Sequence, residues 1–404
     1  MKIHRSLIEA VADALTAIFQ EGKYADKVIE NLLRSNPKWG SRDRAFIAET
    51  TYDCVRWWRL FADVSGRKVA TQDFSRGDFL EIIGTSLVLK DKQDSDFADF
   101  KNLHFDTLSE RQLAVTARKI KESIPDWLDE MGVAELGEAQ WSAELMALNL
   151  PNSVVLRCNT LKTTVVELQK KFTAIGFDTE KTSLNTEGVV LKRRGNVFST
   201  ELFKQGLFEV QDAGSQLIAP FLEVGAGMRV VDACAGAGGK SLHLATLMQN
   251  KGTLIALDTE GWKLEELKKR ARRNGVHIIE TRIIETTKVI KRLHESADRL
   301  LLDVPCSGLG VLRRNPDAKW KLEPAFLDTV RATQAKILAD YSKILKVGGK
   351  LVYATCSILP SENERQVEQF LSTHTNFKFI AERKVLPSVD GCDGFYMARL
   401  ERIG

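Results

Sequence analysis

The chain has 404 residues, of which 44% are hydrophobic and 28% are charged, and it carries a net charge of +4. This length allows two or three domains with buried cores, and the composition excludes disordered, collagen-like and disulfide-rich chains. The longest stretch without Asp, Glu, Lys or Arg, residues 145–156, is too short to span a bilayer, so we expect no membrane partner.

Residues 1–135 have the apolar spacing of helices throughout, as in Leu7, Val11 and Leu15. A secretory signal peptide is not expected, because acidic residues interrupt the apolar stretch near the N-terminus. The adjacent Trp57 and Trp58 lie among arginines and could stack on RNA. Large aromatic residues in amphipathic helices belong to the core more often, and we favour that interpretation.

Within residues 136–221, the pattern changes to short alternating elements from about 150 to 211. Segments 154–157, 188–191 and 207–210 have strand character, and a helix is expected around 166–172. We predict a linker followed by a small α/β subdomain that binds RNA. Its basic cluster 192–194 is either a solvated turn or a contact with the RNA backbone.

Residues 222–404 alternate strand and helix signals in the order of a doubly wound parallel sheet. Apolar strands are expected at 228–231, 253–257, 299–304 and 350–355. The helix after the second strand should end at Asn274-Gly275, a favourable C-terminal cap. A long helix is expected to continue to Leu345 and to end at Gly348-Gly349. The fold class is therefore α/β, with a Rossmann-like C-terminal domain.

A glycine-rich loop, Asp232–Lys240, follows the first of these strands. The Walker pattern fails because position 234 is Cys, and the dinucleotide pattern GxGxxG fails because its third glycine is replaced by Ser241. Asp258 ends the second strand, where a carboxylate commonly binds ribose hydroxyls. The loop and its two acids suit an adenosyl group without pyrophosphate, namely S-adenosylmethionine. The alternative is a structural turn capped by acids.

Two cysteines follow two strands of the same predicted sheet. Cys306 lies in the segment 303–308, just after Asp303, and Cys356 follows Thr355. A single sheet cysteine is usually inert packing, whereas two at the edge where reactants bind favour catalysis. Methylation of a pyrimidine at carbon 5 needs a thiolate that adds to carbon 6 and a base that later removes the carbon 5 proton. Asp303 is the candidate acid near ring nitrogen 3.

The remaining cysteines and the histidines are scattered and form no CxxC or HExxH pair. This distribution predicts free thiols in a reducing cytoplasm and no metal site. The small excess of basic residues permits a nucleic-acid partner without requiring one.

With these motifs, the chain resembles the RsmB (Fmu/Sun) family of RNA cytosine-5 methyltransferases, related to the NOP2/Sun proteins. The family loop Asp-x-Cys-Ala-Ala-Pro-Gly-Gly-Lys is present with Gly236 and Ala237 in place of the second alanine and the proline. The segments Asp303-Val-Pro-Cys-Ser-Gly and Thr355-Cys-Ser match both cysteine motifs of the family. Segments 211–216, 314–317 and 393–396 are also similar to family motifs.

The resemblance implies roles for individual residues. It makes Cys356 the nucleophile, and Cys306 the residue that assists proton removal and product release, with Asp303 orienting and protonating the base. The cofactor would contact the loop and the acids at the strand ends, namely Asp232, Cys234, Ala235, Gly236, Ala237, Gly238, Gly239, Lys240, Asp258, Glu285 and Asp303.

The resemblance also implies a domain organisation and partners. Residues 1–135 would form a helical NusB-like RNA-binding domain, 136–221 a linker with the small subdomain, and 222–404 a class I methyltransferase domain. The substrate would be RNA, 16S rRNA first among candidates, and the protein a monomer in the cytoplasm. Alternatives are a tRNA cytosine-5 methyltransferase, a non-catalytic RNA-binding ribosome assembly factor and, less favoured, a DNA cytosine enzyme.

Overall fold

The computed structural model describes residues 4–67 and 74–404. The chain forms two compact units, Met1–Leu150 with Leu312–Glu323 and Pro151–Val311 with Pro324–Gly404. Within the described part of the chain, no helix is both long and apolar enough to cross a membrane. The division into three domains at residues 135 and 221 stays a prediction.

The first unit is helical in its described residues. Its helices from the N-terminal stretch are α1 (Arg5–Phe19), α2 (Ala25–Ser35), α3 (Ser41–Arg56), α4 (Trp58–Val64), α5 (Arg76–Asp91), α6 (Phe105–Ala114), α7 (Arg118–Lys121), α8 (Asp126–Leu136) and α9 (Glu138–Leu148). The predicted apolar stripe of α1 is buried in the core of this unit. Trp58 is 2% exposed and stacks on Phe19 with ring centroids 4.1 Å apart, which confirms the core interpretation for this tryptophan.

A second stretch of chain, Leu312–Glu323, completes this unit. The main-chain N–H of Ala25 donates to Asp317 at 3.0 Å, and the indole N–H of Trp320 donates to the carbonyl of Val55 at 2.8 Å. The buried ammonium of Lys319 donates to the carbonyl of Arg56 at 2.8 Å. The short helix α16 (Ala318–Lys321), numbered by its place in the chain, lies in this stretch.

The second unit begins with a small antiparallel sheet of strand order β2-β3-β1-β4. Its elements are β1 (Val155–Cys158), α10 (Val165–Ala174), β2 (Thr179–Lys181), β3 (Gly188–Leu191), α11 (Glu201–Lys204) and β4 (Phe208–Val210). Helix α10 starts with a capping box between Thr164 and Glu167, because each side chain accepts a hydrogen bond from the other's main-chain N–H. The predicted α/β character of this stretch is confirmed.

A larger mixed sheet follows, of strand order β10-β11-β9-β8-β5-β6-β7. Its strands are β5 (Arg229–Asp232), β6 (Thr253–Asp258), β7 (Ile279–Ile283), β8 (Ala297–Asp303), β9 (Leu345–Thr355), β10 (Phe377–Val385) and β11 (Phe395–Arg402). The accompanying helices are α12 (Ile218–Phe221), α13 (Gly239–Leu247), α14 (Gly261–Asn274), α15 (Thr287–Lys291), α17 (Pro324–Tyr341), α18 (Glu364–Thr373) and α19 (Pro387–Asp390). Strands β5–β9 run parallel and form the Rossmann-like part.

Two expectations for this unit need correction. The sheet is not parallel throughout, because β11 pairs antiparallel with both β9 and β10. The short segment 386–394 between β10 and β11 cannot provide the long crossover that parallel strands require. Helix α17 ends at Tyr341, and Leu345 already starts β9, so Gly348-Gly349 lie in a strand and do not cap the helix. Leu345 is fully buried, and its apolar character fitted helix and strand equally. The predicted helix end at Asn274-Gly275 is confirmed, with Gly275 at φ +73°.

Candidate active site

The candidate site lies beyond the carboxyl ends of the parallel strands. The first strand of the sheet, β5, lies between β6 and β8, so the strand order reverses at this point. In open α/β sheets ligands bind in the crevice that such a reversal creates. The glycine loop follows β5, and the two cysteine segments follow β8 and β9.

The glycine loop has one glycine that packs against the protein and one that faces open space. Gly238 has φ +85°, and a Cβ there would lie 2.4 Å from the side chain of Leu267. Gly236 has φ +54°, and nothing lies within 4 Å of where its Cβ would be. Its main-chain N–H donates to Asp258 Oδ2 at 2.9 Å, while Oδ1 accepts from the N–H of Glu260 at 2.9 Å. The Asp258 carboxylate therefore borders open space, and its remaining lone pairs suit ribose hydroxyls.

Two arginines hold the carbonyl groups of this loop. Arg270 donates to the carbonyl of Ala237 at 2.7 Å, and the buried Arg157 donates to that of Gly239 at 2.7 Å. Glu209, also buried, accepts from Arg270 at 2.9 Å. Burial lowers the pKa of Arg157 to about 10, against the attraction of Glu209. The small sheet thus contributes Arg157 and Glu209 to the support of the loop.

Asp232, at the start of the loop, has a buried side chain that is hydrogen-bonded within the protein. Its side chain is fully buried, and the hydroxyl of Ser241 donates to its Oδ2 at 2.6 Å. Burial raises the pKa of Asp232 to about 7, although the Ser241 hydrogen bond opposes the shift. The contact joins the end of β5 to helix α13, so Asp232 positions the loop between them.

Lys240 and Asp303 form an ion pair inside the site. The ammonium nitrogen lies 2.6 Å from Asp303 Oδ2, and the two side chains are 14% and 26% exposed. Lys240 also lies 5.8 Å from the ring centroid of Phe395, in the C-terminal motif. Burial alone would lower the pKa of Lys240, but the negative charges of Asp303 and Cys356 raise it above its usual value. Lys240 is therefore favoured as a cation, and its charge interacts with that of Cys356.

The two predicted cysteines lie in contact. Cys306 Sγ is 3.2 Å from Cys356 Sγ, and the N–H of Cys356 donates to Cys306 Sγ at 3.3 Å. Both residues are partly exposed, so a ligand can reach them. The hydrogen bond with Cys356 raises the pKa of the Cys306 thiol well above its usual value, and burial and the charge of Glu362 add to the shift. Burial likewise raises the pKa of the loop residue Cys234.

Segments 211–216 and 393–396, which resemble family motifs, also meet at this edge. The N–H of Gly310 donates to the carbonyl of Cys356 at 2.9 Å, and the N–H of Gly394 donates to that of Gly310 at 2.7 Å. A Cβ on Gly310 would lie 2.3 Å from the carbonyl oxygen of Gly394, so only glycine allows this approach. The N–H of Asp393 donates to Asp212 Oδ2 at 3.4 Å.

Glu362, which no pattern in the sequence indicated, touches both cysteine segments. The carboxylate is fully buried and accepts hydrogen bonds from Ser307 and Ser357, the residues that follow the two cysteines. Gln334 of helix α17 also donates to it, at 3.0 Å. The only signal in the sequence was that each cysteine is followed by a serine, Ser307 and Ser357. Nothing near Glu362 in the sequence distinguishes it from a surface acid.

The last predicted contact, Glu285, is exposed and lies two residues beyond β7. Ile283, the final residue of β7, pairs with Asp258, so Glu285 lies near the same edge of the sheet. Among the described residues, we find no group of three His, Cys, Asp or Glu side chains that could hold a metal ion.

Two family models match the chain. Residues 219–401 match the model described as 16S rRNA methyltransferase RsmB/F, and residues 124–198 match the ferredoxin-like domain of RsmF/B-like methyltransferases. The chain is 35% identical over 298 residues to the probable ribosomal RNA small subunit methyltransferase B of Synechocystis, covering 69% of this chain and 67% of that protein. It is 32% identical over 320 residues to the Bacillus subtilis protein of the same name, covering 74% of this chain and 70% of the relative.

Solved structures with this fold include the crystal structure of the protein PH0851, with a TM-score of 0.81 and 23% identity over the full length of both chains. NSun6 from Pyrococcus horikoshii, solved with SFG, has a TM-score of 0.64 and 19% identity, covering 70% of this chain and 99% of that one. At these identities the likeness concerns the fold alone.

Proposed function

Because the chain belongs to the family of 16S rRNA methyltransferases RsmB/F, we propose that it methylates carbon 5 of a cytosine in RNA, most specifically 16S rRNA. The reaction would proceed through a covalent bond between Cys356 and the cytosine. The observation that carries this proposal is the contact of two thiols, 3.2 Å apart, beside the Lys240–Asp303 ion pair. Methylation of an amino group or a hydroxyl requires neither thiol.

The electrostatic environment favours different roles for the two cysteines. Lys240 brings a positive charge close to Cys356, whereas the negative charge of Glu362 acts on Cys306. A cation favours a thiolate and an anion favours a thiol, so Cys356 suits the nucleophile. Cys306, whose pKa is raised, becomes a strong base once deprotonated, which suits assistance in removing the carbon 5 proton.

The proposed steps follow from these positions. The Cys356 thiolate adds to carbon 6 of the cytosine, and the electron pair of the 5,6 double bond moves to carbon 5. Asp303, held by Lys240, is placed to orient ring nitrogen 3 and share a proton with it. Carbon 5 would use that electron pair to accept the methyl group, which leaves its former sulfonium sulfur as a neutral thioether. Cys306, once it has passed its own proton to solvent, would remove the proton from carbon 5. The electrons of that carbon–hydrogen bond re-form the 5,6 double bond as the bond between carbon 6 and Cys356 breaks and the Cys356 thiolate leaves.

S-adenosylmethionine, the cofactor of this family, supplies a methyl group on a sulfonium sulfur. Two observations support an adenosyl site here: nothing lies within 4 Å of where a Cβ of Gly236 would be, and Asp258 accepts from the main-chain N–H of that glycine. We propose that Asp258 binds the ribose, that the loop 232–240 surrounds the cofactor, and that Glu285 and Asp303 complete the site. Asp232 would act by fixing the loop, because its carboxylate is buried against Ser241.

We assign RNA binding to the regions outside the methyltransferase fold. The helical residues 1–135 would act as a NusB-like RNA-binding domain, and the small sheet would add the exposed basic cluster 192–194. The target base must be flipped out or single-stranded to reach thiols at the strand ends.

The cysteine variants test the chemistry directly. Cys356→Ala should form no covalent adduct and lose turnover, because the attacking sulfur is absent. Cys306→Ala should still add to cytosine but release product roughly a hundredfold to ten-thousandfold more slowly, the usual effect of losing a general base. In denaturing gels this variant should show a slow-migrating band with cytosine-containing RNA, and the buried Cys158→Ala serves as a thiol-loss control away from the site.

The opposite pattern of bands would mean that the two thiols exchange roles. Activity retained in both variants without any adduct would refute thiol catalysis. The RNA target is tested separately by bisulfite sequencing of cellular RNA with and without the gene. If a cytosine of 16S rRNA resists bisulfite conversion only when the gene is present, the proposal is supported. A difference confined to tRNA favours the tRNA enzyme, and no difference favours a non-catalytic assembly factor.

A further inference from the structure

A buried carboxylate connects the two cysteine segments. Glu362 ends a short turn seven residues after Thr355, and its side chain has no solvent exposure. Oε1 accepts from the main-chain N–H of Ser307 at 2.8 Å and from Gln334 at 3.0 Å. Oε2 accepts from the hydroxyls of Ser307 and Ser357, each at 2.5 Å. One side chain therefore binds the residue that follows each catalytic cysteine.

The same contacts extend to both sides of Cys306. Gln334 donates from its amide nitrogen to the carbonyl of Pro305 at 2.9 Å as well as to Glu362. Pro305 and Ser307, the two neighbours of Cys306, are thus both tied to the carboxylate or to its amide partner. The backbone of Glu362 contributes too, since its carbonyl accepts from the hydroxyl of Tyr353 in β9 at 2.6 Å.

The four groups that donate hydrogen bonds to the Glu362 carboxylate are all neutral. Burying a carboxylate is costly, and hydrogen bonds from neutral donors offset the cost only in part. A glutamine or an apolar residue would fill the same space with less loss of solvation. The carboxylate differs from such a neutral side chain in one respect, the negative charge that it places beside Cys306.

We propose that Glu362 is a positioning residue: it holds both cysteine segments in register and favours the proton on Cys306, and not on Cys356, at the stage when Cys356 attacks. This inference rests on the proposed function, because it concerns the division of roles between the two cysteines. Glu362 acts through Ser307 and Ser357 and by its charge, and it touches neither substrate nor cofactor.

Charges of opposite sign act on the two sulfurs, and a main-chain hydrogen bond from Gly308 partly opposes the effect on Cys306. Cys306 faces Cys356 at the end of β9, Glu362 in the turn and Tyr353 within β9. The negative charge of Glu362 raises the pKa of Cys306 together with burial and the Cys356 hydrogen bond. On the far side, the cation Lys240 interacts with Cys356 and is itself paired with Asp303. The thiolate is thereby favoured on Cys356, whose charge interacts with that of Lys240.

The pH dependence of Cys306 alkylation tests the charge effect without any RNA. In a Cys356→Ser background, iodoacetamide labelling of Cys306 is followed by mass spectrometry between pH 7 and 10. Glu362→Gln should increase labelling at a fixed pH about tenfold, because removing a nearby negative charge lowers the thiol pKa. Glu364→Gln is the matched control, since this neighbour pairs with Lys384 on the surface. An unchanged labelling profile in a folded Glu362→Gln variant would overturn the inference.

Turnover tests the positioning effect. Glu362→Gln in the otherwise natural chain should lower kcat tenfold or more at an unchanged KM for S-adenosylmethionine, because the cofactor site is untouched. Glu362→Asp keeps the charge but shortens the side chain, so it should restore the labelling profile while kcat stays low. If Glu362→Gln does not fold, Ser357→Ala removes one hydroxyl donor and should lower kcat with the same unchanged KM. Wild-type kcat in Ser357→Ala and Glu362→Asp would contradict the positioning role.

The two proposals fail separately. The alkylation profile depends only on the thiol pair and its neighbours, so it remains informative whatever RNA or atom is methylated. Loss of bisulfite protection in cellular RNA, in contrast, reports on the reaction and not on Glu362.

Discussion

Replacement of Asp258 by alanine should weaken the binding of S-adenosylmethionine. In the structure its carboxylate accepts one main-chain N–H on each oxygen, from Gly236 and Glu260, both at 2.9 Å. A carboxylate has about four acceptor positions, so about two remain for ribose hydroxyls. Asp258→Ala removes those acceptors and also frees the glycine loop from the end of β6.

The size of the effect follows from the hydrogen bonds that the variant cannot form. A hydrogen bond to a charged group contributes roughly 1.5–3 kcal/mol, and about 1.4 kcal/mol corresponds to a tenfold change in affinity. Loss of one ribose bond therefore predicts a tenfold to roughly hundredfold increase in Kd, and loss of two predicts a roughly hundredfold or larger increase. Asp258→Asn keeps one acceptor oxygen and should lie between the wild type and the alanine variant.

Titration calorimetry with S-adenosylmethionine measures these affinities, and a thermal melt verifies folding. Glu265→Gln is a suitable control, because Glu265 pairs with Lys268 on the exposed side of α14. Wild-type affinity in a folded Asp258→Ala variant would refute the placement of the ribose at the end of β6.

Three further predictions concern the loop and RNA binding. The pKa of Asp232 is raised by burial to about 7, so the folded state binds its proton more tightly than the unfolded chain, and this contribution to stability is present at low pH and is lost as pH rises from about 4 to 7. Asp232→Asn should therefore gain stability relative to the wild type by up to about 1.4 kcal/mol per pH unit over that window, and denaturant unfolding at several pH values that shows a constant difference would contradict this. Arg270→Ala frees the carbonyl of Ala237 and should raise the Kd for S-adenosylmethionine in protein that a thermal melt shows to be folded, whereas equal affinity would show that the loop needs no such support. Alanine at 192–194 should reduce the salt dependence of RNA binding by about 0.7–0.9 in log–log slope for each phosphate that the variant no longer neutralises, and an unchanged slope would leave the cluster as a solvated turn.

Local patterns in the sequence were sufficient for four of the five parallel strands, β5, β6, β8 and β9, and for the glycine loop, whereas β7 was not predicted. An apolar strand, a glycine turn and a helix start follow each other within a few residues around Asp232, and the C-terminal cap at Gly275 is equally local. The two cysteines could be placed at one edge because parallel strands end on the same side. Their 3.2 Å contact needs the actual pairing of β8 with β9 and was beyond the sequence.

The features that sequence analysis missed depend on long-range contacts. Glu362 acquires its role from Ser307, 55 residues earlier in the chain, and its own neighbourhood resembles a surface turn. The antiparallel direction of β11 follows from its partners, since an isolated apolar strand carries no sign of direction. Arg157 supports the carbonyl of Gly239 across 82 residues, a contact that no local pattern indicates.

The stretch Leu312–Glu323 has a consequence for how the protein folds during synthesis. Residues Met1–Leu150 leave the ribosome long before this stretch, although the same compact unit contains both. At about 5–20 residues per second, the delay is on the order of ten seconds or more. Until then Arg56 lacks the carbonyls of Leu312 and Arg313 that it binds in the finished protein, and Val55 lacks Trp320. The helical unit therefore completes these contacts only after the segment that follows Cys306 in the chain has been synthesised.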